Sequence, residues 1–175
     1  MKTMETLCRR KSVRTYTGEA PTSKQMELIL KAAQAAPVAM GRFDSMHLTV
    51  ITNADLLAKL EEAGSKELGK PGKMLYNAPV LVLVSAKIPE GAENSMHSSA
   101  AMVVHNMALE ATELGVGSVD IWGCIRGASK NESLVAQLHL PEGFVPCCAI
   151  ALGQTTEEFP VRDIPMDKMA VSTIE

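Results

Sequence analysis

The segment over residues 96–123, MHSSAAMVVHNMALEATELGVGSVDIWG, constrains the fold of this chain most, because its pattern, composition and turn residues agree. Its apolar residues recur at the spacing of one face of an α-helix, which predicts a helix over residues 96–114. Gly115 follows the last periodic leucine and is placed to end that helix in a left-handed conformation. The glycine-bounded run over residues 117–123 then predicts a buried strand that ends in a turn.

The predicted helix is apolar around most of its circumference, so we expect it to pack against other elements on most sides. A narrow polar stripe interrupts the apolar surface; it consists of Ser99, Asn106, Glu110 and Glu113. We expect the two glutamates to be solvated. No lysine or arginine occurs between Lys87 and Arg126, which favours a core or subunit-interface element.

A length of 175 residues is enough for one domain with an ordinary hydrophobic core. The net charge of −3 argues against non-specific binding of nucleic acid. The chain has no apolar run of the about 18 residues that a transmembrane helix needs, and no signal-peptide segment at its start. We therefore expect a cytoplasmic protein that binds neither nucleic acid nor membranes. Its four cysteines lack CxxC spacing, which favours buried thiols.

The rest of the chain predicts further helices and strands, with Thr22 or Ser23 and Asn53 as helix caps. The predicted helices cover residues 2–12, 23–36, 55–67 and 132–138, and the predicted strands cover residues 47–52, 78–85 and 144–152. The stretch over residues 64–77, which is rich in glycine and lysine, is the best candidate for a linker or lid. The tail, residues 154–175, shows no period and could not fold alone.

Positive charge is densest near the N-terminus, where Arg9, Arg10, Lys11 and Arg14 lie within six positions. One interpretation is a solvated face that closes a helix C-terminus, where the helix dipole favours cations. The other is an anion cradle, in which arginines donate paired hydrogen bonds to phosphate and Ser12 adds a hydroxyl donor. The charge pattern alone leaves both open.

Other kinds of site find less support in the sequence. The four histidines are dispersed, and His97 and His105 are out of register on the predicted helix, so no metal site is predicted. The absence of GxGxxG, GxSxG and P-loop motifs argues against classical NAD folds, hydrolases and P-loop enzymes. Trp122, just before Gly123 at the predicted strand end, is either core or the wall of a ligand site.

Five segments, in order along almost the whole chain, resemble those of the flavin-dependent nitroreductase family. They are RRKSVRTYTGEAP, QAAPVAMG, YNAPVLVLV, the central helix with ELGVGS, and GFVPCCAIALG. The first is similar to the family's Arg-Arg-Ser-x-Arg signature, with Lys11 where an arginine is usual. The second is similar to the family's Ala-Pro-Ser-x-x-Asn segment.

The resemblance implies an α+β fold of three layers, with helices flanking a mixed or antiparallel sheet of about four strands. It also implies an intertwined homodimer, with helix 96–114 inside the interface and FMN bound at that interface. Residues 1–153 would form the FMN-binding domain. Residues 154–175 would form an arm that packs on the partner subunit.

Transferred residue by residue, the resemblance implies flavin contacts at three places. The basic segment and a tail arginine would hold the FMN phosphate and the ring edge. The loop after the second helix would flank the ring, and the end of the predicted strand would bring a backbone amide near flavin N5. The implied cofactor-binding residues are Arg10, Lys11, Ser12, Arg14, Pro37, Val38, Ala39, Met40, Ile121, Trp122, Gly123 and Arg162.

The implied function is transfer of hydride from NAD(P)H through FMN to a small organic acceptor, nitroaromatic or quinone-like, in a ping-pong cycle. No side chain is a compelling general acid or base, and we name none as catalytic. Two alternatives stay open. One is a non-catalytic flavin or nucleotide carrier or sensor, and the other is a flavin enzyme of different chemistry, such as a ring-cleaving or dehalogenating member.

The loop after the second helix departs from the family pattern. Val38 replaces the usual serine, Gly41 falls where the family has asparagine, and Phe43-Asp44 takes the place of Gln-Pro. Valine and glycine side chains neither donate nor accept hydrogen bonds. We therefore expect broad, slow turnover of flat acceptors and poor general nitroreductase activity.

Overall fold

The computed structural model describes residues 2–175, and its described part contains four strands and six α-helices. The strands are β1 (Met46–Ile51), β2 (Val80–Lys87), β3 (Gly117–Ile121) and β4 (Phe144–Gly153). The helices are α1 (Thr3–Arg9), α2 (Ser23–Gln34), α3 (Ala54–Leu68), α4 (Glu93–Glu113), α5 (Gly123–Ala128) and α6 (Glu132–Ala136). Two short 3₁₀ turns, Ala39–Gly41 and Phe43–Ser45, precede β1.

The strands form one antiparallel sheet in the order β1-β2-β4-β3. β2 confirms the strand predicted over residues 78–85, with bounds shifted by two residues; it lies inside the sheet, and its alternate residues face two separate cores. Val82 and Val84 pack with α2 and α4, whereas Leu81 and Leu83 pack with α3, α5 and α6. The expected α+β fold of three layers is therefore confirmed, and the sheet is purely antiparallel.

α4 confirms the long apolar helix, which begins three residues earlier than predicted. Gly115 ends it with φ +69°, and the Val116 amide donates to the Ala111 carbonyl oxygen at 2.8 Å. This arrangement is the left-handed C-cap that the sequence predicted. The predicted polar stripe was wrong at Ser99, which is fully buried. Its hydroxyl donates to the Ser95 carbonyl oxygen at 2.8 Å, so burial leaves no unsatisfied donor.

Several other boundaries follow from local chemistry. Thr22 forms a capping box with Gln25, and the Asn53 side chain caps α3 by accepting from the Leu56 amide at 2.9 Å. The predicted linker over residues 64–77 was wrong in its first part, because α3 continues to Leu68. Gly64 is a contact point and not a hinge: a Cβ there would lie 2.9 Å from the Cys124 Cα.

The strand predicted over residues 117–123 is shorter in the structure and does not end in a turn. β3 stops at Ile121, Trp122 adopts helical dihedral angles, and α5 begins at Gly123. A Cβ at Gly123 would lie 2.7 Å from Leu68 Cδ1, the end of a flexible side chain, so α5 packs closely on α3 at this position.

The tail forms no helix or strand in the described residues. Residues 154–162 lie along the start of the chain, because the Thr17 amide donates to the Gln154 carbonyl oxygen and the Arg162 amide to that of Cys8. Residues 163–175 are exposed throughout. The packing of this arm on a partner subunit stays a prediction. No helix in residues 2–175 is both long and apolar enough to span a bilayer.

Candidate functional site

The basic segment, residues 10–14, lies extended along the edge of the sheet. The Val13 amide donates to the Ser118 carbonyl oxygen of β3 at 2.8 Å, and the Val13 side chain is fully buried. Gly117 permits this close approach, because a Cβ there would lie 3.0 Å from Val13 Cγ1. With Val13 turned inward, the side chains of Ser12 and Arg14 are left at the surface beside β3.

Two cations of the basic region are already paired within the chain. Arg9 forms an ion pair with Glu5 at 3.0 Å, and Lys11 forms one with Glu157 of the tail at 2.8 Å. By contrast, no carboxylate in residues 2–175 pairs with Arg10 or Arg14. These two guanidinium groups are therefore the cations with the most capacity for an external anion.

Arg162 also lies beside this segment, but its guanidinium is largely engaged. Nε donates to the Cys8 carbonyl oxygen at 2.9 Å, and Nη2 donates to the carbonyl oxygens of Leu7 and Arg10. These oxygens lie at the C-terminal end of α1, where a helix leaves carbonyl groups without internal partners. A role of Arg162 in phosphate binding stays a prediction.

The loop between α3 and β2 adds neighbours that the sequence did not indicate. The Arg14 guanidinium lies 5.6 Å from the centroid of the Tyr76 ring, a cation–π arrangement. Tyr76 and Asn77 both have left-handed dihedral angles, with φ of 56° and 62°. Lys73 reaches Asn77 Oδ1 at 2.5 Å across the same turn. No local pattern predicts the contact of Arg14 with Tyr76, because it depends on a tertiary approach between segments about sixty positions apart.

Trp122 lies at the mouth of a cleft at the end of the sheet. Its side chain is 56% exposed, and its ring meets the His97 ring edge to face at 6.4 Å between centroids. The cleft has a volume of about 400 Å³; its lining includes His97, Trp122, Arg126, Lys130, Phe144 and Cys147. Nδ1 of His97 is buried without a hydrogen-bond partner among the described residues. This cleft combines aromatic walls with a cationic rim.

The cationic rim of the cleft is partly neutralised. Glu67 pairs with Arg126 at 2.8 Å and with Lys130 at 2.7 Å. The hydrogen bond from Lys130 is the largest cause that lowers the pKa of Glu67 below its ordinary value. The two cations therefore share one carboxylate, which leaves a net positive charge beside the aromatic walls.

The loop over residues 37–41 packs on α4 of its own chain. Val38 is only 9% exposed and belongs to the core, and the Ala39 amide donates to the Ser99 hydroxyl at 3.1 Å. Met40 projects outward, 74% exposed, with φ +54°. No hydrogen bond or ion pair within residues 2–175 joins this loop to the basic segment or to residues 121–123. The single chain thus brings the basic segment to β3, but it makes no hydrogen bond or ion pair between that segment and this loop in residues 2–175.

The buried titratable groups do not supply a nucleophile. Burial raises the pKa of Cys147 to about 11 and those of Cys124 and Cys148 to about 12, so these thiols stay protonated. The predicted burial of the thiols is confirmed at these three positions, whereas Cys8 is partly exposed. Burial also raises the pKa of Tyr16, whose hydroxyl donates within the fold. No cluster of possible metal ligands occurs within residues 2–175.

The sequence of this chain matches a known protein family. The model of the nitroreductase family matches residues 7–154. The chain belongs to the nitroreductase family. This confirms the resemblance seen in the five sequence segments, and the matched range includes the basic segment, the loop over residues 37–41 and the end of β3.

Two relatives illustrate the extent of the family likeness. A protein of Archaeoglobus fulgidus named putative NADH dehydrogenase/NAD(P)H nitroreductase is 30% identical over 151 residues, covering 85% of this chain and 83% of its own. An FMN reductase [NAD(P)H] of Bacillus subtilis is 25% identical over 173 residues, covering 88% of this chain and 66% of its own.

Solved structures share the fold over their whole length. A nitroreductase with bound FMN from Desulfitobacterium hafniense superposes with a TM-score of 0.82 at 21% identity, covering 99% of this chain and 100% of that one. A nitroreductase with bound FMN from Bacteroides fragilis gives a TM-score of 0.79 at 24% identity, with both chains fully covered. At these identities the likeness establishes the nitroreductase fold.

Proposed function

We propose that this member of the nitroreductase family is an FMN-dependent oxidoreductase. The observation that carries the proposal is the basic segment on the edge of β3. It presents Arg10 and Arg14 without carboxylate partners in the described chain, beside a strand that ends at the exposed Trp122. The relatives named for NAD(P)H-dependent reduction and the neighbours with bound FMN support it.

The residues present fit a phosphorylated flavin. Arg10 and Arg14 would donate charge-assisted hydrogen bonds to the phosphate and the ring edge, and the Ser12 hydroxyl would add a donor. The extended backbone is held rigid by the Val13–Ser118 hydrogen bond, so these donors are oriented before a ligand arrives. Ile121, Trp122 and Gly123 would lie beside the ring, at the start of α5.

Bound FMN would supply the chemistry of hydride transfer from NAD(P)H to an acceptor, in two half-reactions. The chain's own residues bind, orient and exclude water, and no side chain is proposed to move a proton. The raised pKa values of Cys147 and Cys148 keep these thiols protonated, and the Tyr16 hydroxyl donates within the fold. Both observations support the absence of a proton-transferring side chain.

The acceptor is proposed to enter the cleft beside Trp122. Its aromatic walls suit a flat molecule, and its positive rim suits oxygens that carry partial negative charge, such as those of a nitro group or a quinone. Shape, and not paired hydrogen bonds, would then select the acceptor, which predicts weak discrimination.

A homodimer is proposed because one protomer leaves the site in two parts. The loop over residues 37–41 does not reach the basic segment of its own chain, yet its exposed Met40 projects outward. Ala101, Met102 and His105 form an exposed stripe on α4, although the apolar pattern of this helix predicted packing on most sides. A second copy that covers this stripe would also bring its loop to the flavin.

The visible spectrum of the purified protein tests the proposal. We expect a yellow protein with FMN released on denaturation, which bleaches when NADH or NADPH is added without oxygen and recovers with an added quinone. A protein that stays yellow with both nicotinamides would instead indicate a flavin carrier. A protein that binds no flavin at micromolar concentration would contradict the proposal.

Light scattering coupled to gel filtration tests the dimer. Met102→Glu should weaken it, since a charge would be buried in the proposed interface, whereas Lys87→Glu, at the sheet end, should not. A monomeric wild-type protein that still binds FMN would contradict the shared site.

A further inference from the structure

Glu157, in the tail, places a carboxylate inside the basic segment. Its Oε2 lies 2.8 Å from Lys11 Nζ, and both side chains are 29% exposed. Its Oε1 accepts from the Arg14 amide at 3.4 Å. The hydrogen bond from Lys11 is the main cause that lowers the pKa of Glu157 below its ordinary value, so the carboxylate is ionised at neutral pH.

Independent contacts hold this part of the tail in place. Arg9 Nη1 donates to the Phe159 carbonyl oxygen at 2.9 Å, and Lys11 Nζ lies 5.7 Å from the centroid of the Phe159 ring. The Thr155 hydroxyl donates to the Thr15 carbonyl oxygen at 2.7 Å. Because the backbone is docked on both sides of Glu157, the carboxylate is a fixed feature of the segment.

We propose that Glu157 determines how strongly this protein prefers FMN to the unphosphorylated flavin, by occupying the Lys11 ammonium that a flavin phosphate would use. The inference rests on the proposed flavin site at residues 10–14. A phosphate dianion and the carboxylate are like charges that seek the same cation, so binding FMN requires Lys11 to leave Glu157 or to be shared. Riboflavin carries no phosphate and meets no such competition.

Glu157 therefore lowers the affinity of this segment for a phosphate group. Of the four cations within residues 9–14, Arg9 is paired with Glu5 and Lys11 with Glu157. Removing the Glu157 charge frees Lys11 without moving the backbone, because Gln keeps the length of the side chain. The FMN affinity should then rise while the riboflavin affinity stays constant.

The test is a flavin fluorescence titration of apoprotein with FMN and with riboflavin. For Glu157→Gln we expect the FMN affinity to rise about threefold to thirtyfold, and the riboflavin affinity to change by less than about twofold. Glu158→Gln is the matched control, because Glu158 is exposed, adjacent and identical in charge. It should leave both affinities within about twofold, since an exposed charge is screened.

A double variant shows whether Glu157 affects FMN affinity through Lys11 or through a general change in charge. In Lys11→Gln, adding Glu157→Gln should no longer raise the FMN affinity, because the two changes act on one contact. Unchanged or lower FMN affinity in Glu157→Gln, or an equal gain in Glu158→Gln, would overturn the inference. If the wild type binds neither flavin, the proposed function fails instead, so the two failures are distinguishable.

Discussion

Arg162 and Cys8 are in contact although 154 positions separate them, because the Arg162 Nε donates to the Cys8 carbonyl oxygen at 2.9 Å. The Arg162 amide donates to the same oxygen at 3.2 Å. A cation at this end of α1 satisfies free carbonyl groups and is favoured by the helix dipole. Arg162 thus fastens the tail to the element that precedes the basic segment.

Replacing Arg162 with alanine should therefore loosen the tail. We expect glutamyl endopeptidase to cleave after Glu158 at least about fivefold faster than in wild type, since local opening controls cleavage of a docked segment. The FMN affinity should fall less than in Arg10→Ala. Lys168→Ala is the control, because Lys168 is exposed in the same tail. A large loss of FMN affinity without faster cleavage would identify Arg162 as a phosphate ligand instead.

Arg10→Ala and Arg14→Ala should each weaken FMN binding several-fold to a few hundred-fold. A hydrogen bond to a charged group contributes about 1.5–3 kcal/mol, and about 1.4 kcal/mol is a tenfold change in affinity. Lys31→Ala is the control, because Lys31 is an exposed cation on α2, outside the basic segment and the tail. Isothermal titration with FMN measures the effect. Equal FMN affinities in wild type and both variants would show that Arg10 and Arg14 do not bind the flavin.

Much of the fold was predictable because the relevant signals are local. The continuous apolar run of β2, the period of α4 and the caps at Thr22 and Asn53 each depend on neighbours in the sequence. The extent of α3 was not predictable in this way. Gly64 resembles a linker residue in the sequence, but it is needed where α3 meets α5, and only the tertiary contact with Cys124 reveals it.

The same helix contact gives a stability prediction at Gly127. A Cβ there would overlap the Ala63 carbonyl oxygen, and backbone atoms cannot move aside cheaply. Gly127→Ala should therefore lower the free energy of unfolding by about 1–3 kcal/mol. Gly123→Ala is the comparison on the same helix, because its Cβ would meet the end of the flexible Leu68 side chain. Urea denaturation should show the larger loss in Gly127→Ala; the reverse order would contradict the packing of α3 on α5.

The candidate site was predictable only where charge concentrates along the sequence. Four cations within six positions indicated an anion site, but not that Glu157 neutralises Lys11 or that Tyr76 lies against Arg14. Those partners are about 60 to 150 positions away, and a single sequence carries no signal for such pairs. The end of β3 was misjudged for a similar reason: Trp122 already has helical dihedral angles and α5 begins at Gly123, where it packs on the distant α3.

The loop over residues 37–41 carries the last prediction, which concerns acceptor preference. Val38 lies in the core, so a serine there would put a hydroxyl among apolar side chains. Gly41 is the better position to change. It has φ +65°, which asparagine tolerates better than other residues with side chains, and nothing lies within 4 Å of a built Cβ. The substitution Gly41→Asn would restore the amide that is usual in the family without disturbing the core.

Gly41→Asn should raise kcat/KM for a nitroaromatic acceptor about threefold to tenfold, because a side-chain amide can hydrogen-bond a nitro oxygen. Turnover of a flat quinone should change by less than about twofold, since shape and not hydrogen bonding governs its fit. Gly41→Ala is the control, because it adds a side chain at the same left-handed position without a polar group. Steady-state kinetics of the three proteins decide the matter. Fast nitroaromatic reduction by the wild type, or an equal gain in Gly41→Ala, would show that the missing amide does not limit this reaction.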